Sequence, residues 1–373
     1  MNFSEHVPET DGALSMQDEA VFAASLAHHA GKSVFITGAG GWIGSALAKA
    51  ISSSGPRLLV LLDHSEHDLH ETCRDLAAVR GSHIVPALGD ICNQRQLSDL
   101  FAAYRPQIVY HLAAFKHVPL GESNPCAVIR NNAIGTYRLA MAAKRHRVAK
   151  LTMISTDKAA NPMSVMGVSK RIAELALLAL SDARTQMNAV RFGNVFGSRG
   201  SIVPLFLQQI SQGGPVTITH PQAQRYFISL RQAISLVLAA CVQSDAGIVI
   251  SDRGDLTKVL DLAQHLIRQA GKIPGKDIMI KIAGLRPGDK MSESFISSRE
   301  TLASRAGYGL RYVTTPAISE NDLHIAMDWL QECIQTHNLK EMLSGLCSLV
   351  PEYEPSLSLK VSAQLLWCAA EAI

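Results

Sequence analysis

Short apolar runs alternate with longer amphipathic stretches over the first two-thirds of the chain. The runs cover residues 33–37, 57–63, 83–87, 108–111, 151–155 and 189–192. Each is largely apolar, which is typical of parallel strands that are buried on both faces. Between the first two runs, Ile43, Leu47 and Ile51 recur every four residues and give a helix one apolar face. The pattern predicts strands that alternate with helices.

This β-α-β order predicts an α/β fold, a doubly wound parallel sheet of the Rossmann type with right-handed crossovers. Beyond Gly197, segments marked by proline and glycine indicate a smaller, interleaved substrate-binding portion. The predicted division is an N-terminal extension at 1–30, a nucleotide-binding domain at 31–196 plus about 230–260, a substrate-binding portion at 197–229 plus about 261–350, and a C-terminal tail at 351–373.

Composition excludes several classes of function. The chain has 373 residues, of which 47% are hydrophobic and 18% charged, as in a folded globular protein. A net charge of +3 is too small to favour nucleic acid or a membrane surface. No apolar stretch approaches the roughly 18 residues of a membrane helix, and no signal peptide is visible. Seven scattered cysteines without a CxxC pair indicate reduced thiols, no metal site and a cytoplasmic location.

Glycines with the spacing of a dinucleotide site follow the first predicted strand. Gly38, Gly41 and Gly44 lie where that strand gives way to a helix beginning near Trp42 and Ile43. Glycines here allow a tight turn, close approach of a pyrophosphate and close helix–strand packing, while the helix N-terminus favours the phosphates. The strand–turn–helix context predicts a dinucleotide site, with ordinary turn glycines as the alternative.

Residues at the ends of the following strands complete the predicted cofactor site. Asp63 ends the second strand, where it would accept hydrogen bonds from ribose hydroxyls. No arginine follows it to receive a 2′-phosphate, so NAD is favoured over NADP. Asp90 and Ile91 follow the third strand and are expected near the adenine, and Ala113, after the fourth strand, is expected at the same site.

Several further motifs carry a family resemblance. They are Tyr-His-Leu-Ala-Ala-Phe-Lys-His-Val-Pro at 110–119, the segment 155–170, Arg-Phe-Gly-Asn-Val-Phe-Gly at 191–197, Thr-His-Pro at 219–221, Arg-Tyr-Phe at 225–227, Gly-Leu-Arg-Pro-Gly-Asp-Lys at 284–290 and Val-Pro-Glu-Tyr at 350–353. With the glycine motif, they make the chain resemble the extended short-chain dehydrogenase/reductase superfamily from about residue 30 to residue 355. Within it, the chain is similar to the UDP-N-acetylglucosamine 4,6-dehydratases of bacterial polysaccharide biosynthesis.

Met166 stands where the superfamily usually carries tyrosine, and the larger, membrane-anchored members of the subgroup resemble this chain in having methionine there. The resemblance implies that the chain is their catalytic domain as a free-standing soluble protein, and that it forms a homo-oligomer as relatives do. A thioether is only a weak acceptor, so Met166 is expected to fill space beneath the cofactor. The alternative is that it shapes the pocket beside the nicotinamide and the sugar.

The resemblance also implies the roles of the catalytic residues. NAD takes a hydride from carbon 4 of the sugar and returns it to carbon 6. Lys170 holds the nicotinamide ribose, and Thr156 relays the proton of the 4-hydroxyl in place of the missing tyrosine. Asp157 protonates the departing 6-hydroxyl, and Lys158 removes the proton of carbon 5. A solvated surface pair is the alternative for Asp157 and Lys158, although active sites of α/β proteins lie at such strand ends.

Substrate contacts are expected from residues outside this segment. Lys116 and His117 follow the fourth strand and are expected in the same cleft, with packed or surface positions as the alternative. The residues expected to contact the UDP moiety are Asn194, Arg225, Arg286 and Glu293. Arginine suits phosphate oxygens because its guanidinium forms two parallel hydrogen bonds, and the carboxylate of Glu293 is assigned to the nucleotide ribose.

Two other functions stay open at this point. A 4-epimerase on the same UDP-sugar would share NAD and the first oxidation, but it would have no use for Asp157 and Lys158. An inactive NAD-binding scaffold is the non-enzymatic alternative, and the complete set of acid/base groups argues against it. For a dehydratase, retention of configuration at carbon 5 is predicted because the methionine-bearing relatives retain it, with inversion as the alternative.

Overall fold

The computed structural model describes residues 14–77, 83–251, 256–305 and 309–371. Its strands are β1 (Ser33–Thr37), β2 (Leu58–Asp63), β3 (His83–Leu88), β4 (Ile108–His111), β5 (Lys150–Thr156), β6 (Gln186–Phe192), β7 (Asn194–Val195), β8 (Val216–Ile218), β9 (Gln224–Ile228), β10 (Gly247–Ser251), β11 (Leu256–Lys258), β12 (Ile280–Ile282), β13 (Thr301–Arg305) and β14 (Leu310–Thr314). Its α-helices are α1 (Met16–Ala27), α2 (Trp42–Ser52), α3 (Glu66–Leu76), α4 (Gln94–Tyr104), α5 (Val118–Ser123), α6 (Pro125–Val128), α7 (Gly135–Arg145), α8 (Val165–Leu180), α9 (Ile202–Ser211), α10 (Leu230–Cys241), α11 (Val259–Gln269), α12 (Glu320–Gln335), α13 (Leu339–Leu349) and α14 (Leu357–Glu371). A π-helical turn, Ile129–Ile134, precedes α7, and a 3₁₀ turn, Asp157–Ala159, follows β5.

Most of the strands belong to one large sheet. Within the described ranges its order is β13-β14-β10-β6-β5-β4-β1-β2-β3. Neighbours from β10 to β3 are parallel, while β14 and β13 are added antiparallel at one edge. The chain starts at β1, runs outward to β3 and returns to β4, so the switch in direction lies between β1 and β4. The predicted doubly wound α/β fold is confirmed.

Burial on both faces explains the uninterrupted apolar runs of the central strands. Every residue of β1 and of β2 is buried. Two apolar cores, one on each face of the sheet, share these strands between them. Leu47 and Ile51 of the predicted helical stripe are buried in α2, as is Ala48. Each fully buried Leu or Ile side chain contributes about 1.5–3 kcal/mol, so the pattern that predicts the sheet also stabilises it.

A smaller portion with its own apolar core lies beside the large sheet. Phe206 of α9, Val216 of β8 and Leu262 of α11 are fully buried in this core. Two small sheets accompany it, one in the order β11-β9-β7 and one that pairs β12 with β8. The portion interrupts the main domain in sequence, since α10 and β10 return to the large sheet.

The predicted division is wrong for the region beyond β12. Strands β13 and β14 extend the large sheet, and the buried residues Leu323, Leu330 and Leu346 of α12 and α13 belong to the core of that sheet. The predicted C-terminal tail is largely α14, whose Leu359 joins the same core. Short antiparallel edge strands with mixed faces carry a weak signal in a sequence, which explains the error. No helix within the described ranges combines the length and apolar character needed to cross a membrane.

Candidate active site

The loop between β1 and α2 has the tight backbone packing of a nucleotide cradle. Gly38 has a φ of +67°, and a Cβ atom there would lie 2.6 Å from the backbone nitrogen of Ala113. A Cβ atom at Gly44 would lie 2.0 Å from the carbonyl oxygen of Gly38. Gly41 is the N-cap of α2, and the first turn of that helix, which includes Trp42 and Ile43, has N–H groups without intrahelical partners. Only glycine fits at positions 38 and 44, and the helix end suits phosphate.

A cleft lies beside this loop at the carboxyl ends of the strands. Its lining includes Gly38, Gly41, Asp63, Asp90, Ile91 and Ala113 from the predicted cofactor set, together with Asp68 and Phe115. Asp63 Oδ2 accepts a hydrogen bond from the Gly40 nitrogen at 2.8 Å, and Oδ1 accepts one from the Ser65 nitrogen at 2.9 Å. Each oxygen keeps a second lone pair, so Asp63 can hold the loop and a ribose hydroxyl together. The residues present fit a dinucleotide.

A buried hydrogen-bond chain fixes the floor of the cleft to the helices beneath it. His111 Nδ1 lies 2.7 Å from Thr37 Oγ1, and Nε2 lies 2.8 Å from Thr136 Oγ1. Since Thr136 donates its own proton to the carbonyl of Asn132, Nε2 is the ring nitrogen that donates. Asn132 then bonds to Ser169 of α8. Burial, assisted by the charge of Lys170, lowers the pKa of His111 well below its usual value. A neutral imidazole thus connects the glycine loop with α8.

Residues 197–200 form a strap across one end of the cleft. Arg199 Nη1 lies 2.5 Å from Asp68 Oδ1, and Lys116 Nζ donates to the Arg199 carbonyl at 2.7 Å. A Cβ atom at Gly200 would lie 2.8 Å from Cε1 of His117. Lys116 and His117 therefore contact the strap, and their expected role in the substrate cleft stays a prediction. Arg199 was missed, although it lies only two residues beyond the motif that ends at Gly197.

The end of β5 brings together three of the predicted catalytic residues. Thr156 Oγ1 donates to Asp157 Oδ1 at 2.9 Å and accepts a hydrogen bond from the Lys158 nitrogen at 3.3 Å. Lys158 Nζ lies 2.9 Å from the same Asp157 oxygen. Asp157 is fully buried, and within the described part of the chain its second oxygen, Oδ2, has no hydrogen-bond partner. A buried carboxylate oxygen of this kind is costly unless a proton or a ligand satisfies it.

Lys158 is held by groups from several elements. Besides Asp157, its Nζ lies 3.3 Å from Asn194 Oδ1 and 3.5 Å from Glu293 Oε1. Burial disfavours its charge, but the carboxylates of Asp157 and Glu293 outweigh burial and raise its pKa. The resting amine is an ammonium group, and it must lose a proton before it can act as a base.

Glu293 lies among three cations. Its Oε1 is 3.5 Å from Lys158 Nζ and 3.7 Å from Arg225 Nε, and its Oε2 is 3.4 Å from Lys290 Nζ. Burial opposes ionisation of Glu293, yet these cations lower its pKa. Arg225 also donates to the carbonyls of Lys290 and Met291. In the structure Glu293 and Arg225 thus bind protein groups beside Lys158, and the contacts to ribose and phosphate stay predictions.

Met166 and Lys170 lie one turn apart on α8. The Met166 side chain is 5% exposed and belongs to the core of the sheet, which agrees with a packing role. Lys170 is 6% exposed, and burial, partly offset by Glu174, lowers its pKa to about 8. Arg286, predicted to bind the substrate, is largely exposed and pairs with Asp289, so its role also stays a prediction.

An ionic network lies directly behind the catalytic strand. Arg191 Nη2 is 2.6 Å from Glu174 Oε2, and Arg191 Nη1 is 2.7 Å from Glu300 Oε2. Arg171 Nη1 is 3.0 Å from Glu300 Oε1, and Ser155 donates to Glu174 at 2.6 Å. These side chains are all buried. The network connects β5, α8 and β6 with the segment that carries Glu293.

The parallel sheet, its switch point and the glycine cradle define a Rossmann-type dinucleotide-binding protein. More narrowly, the chain belongs to the family described as polysaccharide biosynthesis protein, which matches residues 34–312.

Curated relatives agree with this assignment. The chain is 44% identical over 274 residues to the capsular polysaccharide biosynthesis protein CapD of Staphylococcus aureus, which covers 72% of the chain and 46% of that protein. It is 42% identical over 279 residues to the probable polysaccharide biosynthesis protein EpsC of Bacillus subtilis, covering 74% and 46%. The chain thus spans about half the length of these relatives. It is also 31% identical over 286 residues to the UDP-glucose 4-epimerase of Rickettsia prowazekii, covering 73% and 82%.

Solved structures share the fold. Pen from Bacillus thuringiensis superposes with a TM-score of 0.68 at 27% identity, covering 80% of this chain and 98% of that one. DesIV, a dTDP-glucose 4,6-dehydratase from Streptomyces venezuelae solved with NAD bound, superposes with a TM-score of 0.60 at 20% identity, covering 80% and 97%. The second likeness concerns the fold alone.

Proposed function

We propose that the protein is an NAD-dependent nucleotide-sugar 4,6-dehydratase. It converts UDP-N-acetylglucosamine into a UDP-4-keto-6-deoxy sugar, with retention at carbon 5, for bacterial surface-polysaccharide biosynthesis. The observation that carries the proposal is the buried Asp157 carboxylate, which is bonded to both Thr156 and Lys158 and keeps one oxygen unpartnered among the described residues. An elimination needs an acid and a base side by side at one sugar, and this arrangement provides them.

NAD is the proposed cofactor, and when bound it accepts a hydride from the sugar and returns it within the same turnover. The residues proposed to hold it are Gly38, Gly41, Trp42, Ile43, Gly44, Asp63, Asp90, Ile91, Ala113 and Lys170. The glycine cradle and the cleft that it lines support this choice. Lys170 is proposed to hold the nicotinamide ribose from α8. The carboxylate of Asp63 favours a free ribose hydroxyl over a 2′-phosphate, because two negative groups would repel each other.

The proton of the 4-hydroxyl is proposed to leave through Thr156. Its hydroxyl proton points at Asp157 Oδ1, so Thr156 can take the substrate proton while it passes its own to Asp157. Asp157 is then a neutral acid, and it protonates the departing 6-hydroxyl, which leaves as water. The relay needs no strongly basic threonine, because the carboxylate receives the charge.

Lys158 is proposed to take the proton of carbon 5. When Asp157 becomes neutral, Lys158 loses its nearest negative partner and releases its own proton to solvent more readily; solvent restores the ammonium group at the end of the turnover. The neutral amine accepts the carbon 5 proton and later gives a proton back from the same side. One amine on one face of the ring explains the predicted retention. Asn194 is proposed to orient Lys158 and the substrate, and Lys116, His117 and Arg286 to contact the nucleotide or sugar.

Turnover in heavy water tests the proposal. Purified protein is incubated with NAD and UDP-N-acetylglucosamine, and the sugar is followed by NMR. The expected product is a 4-keto-6-deoxy sugar with deuterium at carbon 5. Lys158→Ala is expected to abolish this exchange because no amine remains to accept the proton, while NAD binding is unchanged. Normal exchange in that variant would move the base elsewhere, and absence of turnover with any nucleotide sugar would sink the proposal.

A 4-epimerase is the second candidate, favoured by the likeness to the 4-epimerase of Rickettsia prowazekii. Epimerisation uses the oxidation at carbon 4 but leaves carbon 5 and carbon 6 untouched. The same NMR experiment separates the two activities, since an epimerase would give UDP-N-acetylgalactosamine without deuterium at carbon 5.

A further inference from the structure

We propose that Glu293 is a positioning residue that holds the Lys158 ammonium group in place, and that Lys290 opposes this hold. The balance between the two decides when Lys158 can act as a base. The inference deepens the proposed function and rests on it, because it concerns how the same site is controlled.

The first support is the position of Glu293. Its carboxylate is almost fully buried and lies between Lys158 Nζ at 3.5 Å and Lys290 Nζ at 3.4 Å. Only 2% of this side chain is exposed, and both of its oxygens face cations of the protein. The carboxylate is therefore placed to bridge two amines.

The second support is the fixed position of Lys290. Its Nζ donates to the carbonyl of Ala160 at 2.7 Å, in the turn that follows the catalytic residues. Burial lowers the pKa of Lys290, and Glu293 only partly offsets this effect. Lys290 thus brings a second positive charge to the carboxylate that Lys158 also uses.

The third support is the sum of charges around Lys158. Asp157 comes from the 3₁₀ turn after β5, Arg225 and Tyr226 from β9, and Lys290 and Glu293 from the segment between β12 and β13. The cations are Lys158, Lys290 and Arg225, and the anions are Asp157 and Glu293. Cations outnumber anions by one, so removing either anion leaves Lys158 facing mostly positive charge.

Two substitutions should therefore shift Lys158 in opposite directions. Glu293→Gln removes a negative charge and keeps the shape, so Lys158 should lose its proton at lower pH. Lys290→Met removes a positive charge and keeps the length of the side chain, so Lys158 should lose its proton at higher pH. The Glu293 carboxylate lies 3.5 Å from Lys158 Nζ, and an opposite charge at such a distance shifts a pKa by about 1–3 pH units.

Competitive acetylation of lysines measures the shift without any need for turnover. The intact protein is labelled with trace acetic anhydride over a range of pH, and the labelled fraction of Lys158 is read by mass spectrometry. Lys144, on α7 and paired with Glu320, serves as the internal reference. We expect the Lys158 titration to move by at least about one pH unit to the acid side in Glu293→Gln. In Lys290→Met we expect it to move to the alkaline side.

The outcomes separate this inference from the proposed function. The inference is overturned if the Lys158 titration shifts in neither variant, in only one variant, or in the same direction in both. Circular dichroism establishes that both variants fold. If the labelling shifts are present but the wild type turns over no nucleotide sugar, the control of Lys158 stands and the dehydratase proposal fails. A turnover assay adds a second readout: the pH profile of kcat should follow the labelling shifts, whereas a ribose contact would raise KM and leave the profile unchanged.

Discussion

At the scale of single residues, the face of the strand to which a side chain points decides whether it can take part in catalysis. Successive side chains of a strand point to opposite faces, so Ser155 and Thr156 cannot share a site. Ser155 donates to the buried Glu174, whereas Thr156 donates to Asp157. Only the hydroxyl of Thr156 is therefore placed for proton transfer at the proposed active site. A threonine is a poor base alone, and the hydrogen bond to a carboxylate is what allows it to move a proton.

Thr156→Val is expected to lower kcat by about 10²–10⁴-fold, the usual contribution of a positioned proton-transfer group. Valine keeps the shape of threonine but has no hydroxyl to pass the proton to Asp157. Thr156→Ser keeps the hydroxyl and should retain most of the activity. Steady-state product formation measures both variants. Near-normal turnover in Thr156→Val would show that the 4-hydroxyl proton takes another route.

At the scale of elements, the strap at 197–200 joins the smaller portion to α3. It is held by the pair between Arg199 and Asp68 and by the bond from Lys116 to the Arg199 carbonyl. Asp68 lines the cofactor cleft, so the strap lies where a dinucleotide would leave. A cofactor that is regenerated in each turnover benefits from slow release.

Arg199→Ala is expected to speed release of NAD by up to about 5-fold, since an exposed ion pair contributes about 0.2–1 kcal/mol. Dilution of the loaded protein into an NAD-consuming enzyme measures the rate. Arg231→Ala is the matched control, because it breaks another exposed pair, with Glu19 on α1. Equal release rates in both variants would remove any role of the strap in holding the cofactor.

The sequence predicted those elements that are encoded by a pattern within one short segment of the chain. The central strands are continuous apolar runs, and the glycines must allow a close approach, so β1, α2 and the cradle could be placed in advance. Lys290 could not, because its position depends on how a distant segment folds back onto Ala160. The same holds for β14, which pairs with β10 across a long separation in sequence. Contacts between distant segments carry no periodic signal.

At the scale of the whole molecule, the C-terminal helix α12 packs against α7. Apart from Leu178 and Ala179, the residues of α8 are buried. Tyr137 of α7 bonds to His324 of α12, and Arg138 bonds to Gln331 of the same helix. The apolar side of α7 and α8 is therefore covered by the protein's own chain. Self-association stays a prediction, and it would need another face.

The contact between His29, just after α1, and Tyr110 predicts that the free energy of unfolding depends on pH. His29 Nδ1 donates to the Leu26 carbonyl at 3.0 Å, so Nε2 accepts from the Tyr110 hydroxyl at 2.6 Å. Burial lowers the pKa of His29 from 6.5 to about 4. Between these values the unfolded state binds more protons than the folded state. The free energy of unfolding should therefore fall as pH drops from 6.5 towards 4, by about 3 kcal/mol in total.

Urea unfolding across this pH range measures the effect. His29→Gln should have a flatter pH dependence than the wild type, because glutamine does not titrate. His64→Gln, at an exposed position, is the control and should keep the wild-type slope. An unchanged slope in His29→Gln would assign the acid sensitivity to another group.

The ionic network behind β5 has a consequence for measurements of pH dependence. Burial opposes the charge of Arg191, but Glu174 and Glu300 outweigh it and raise its pKa. Burial likewise opposes ionisation of Glu300, yet hydrogen bonds and charge from Arg191 lower its pKa. Both groups therefore keep their charge across the neutral range. Arg191 and Glu300 therefore add no titration of their own to a pH–rate profile measured in that range.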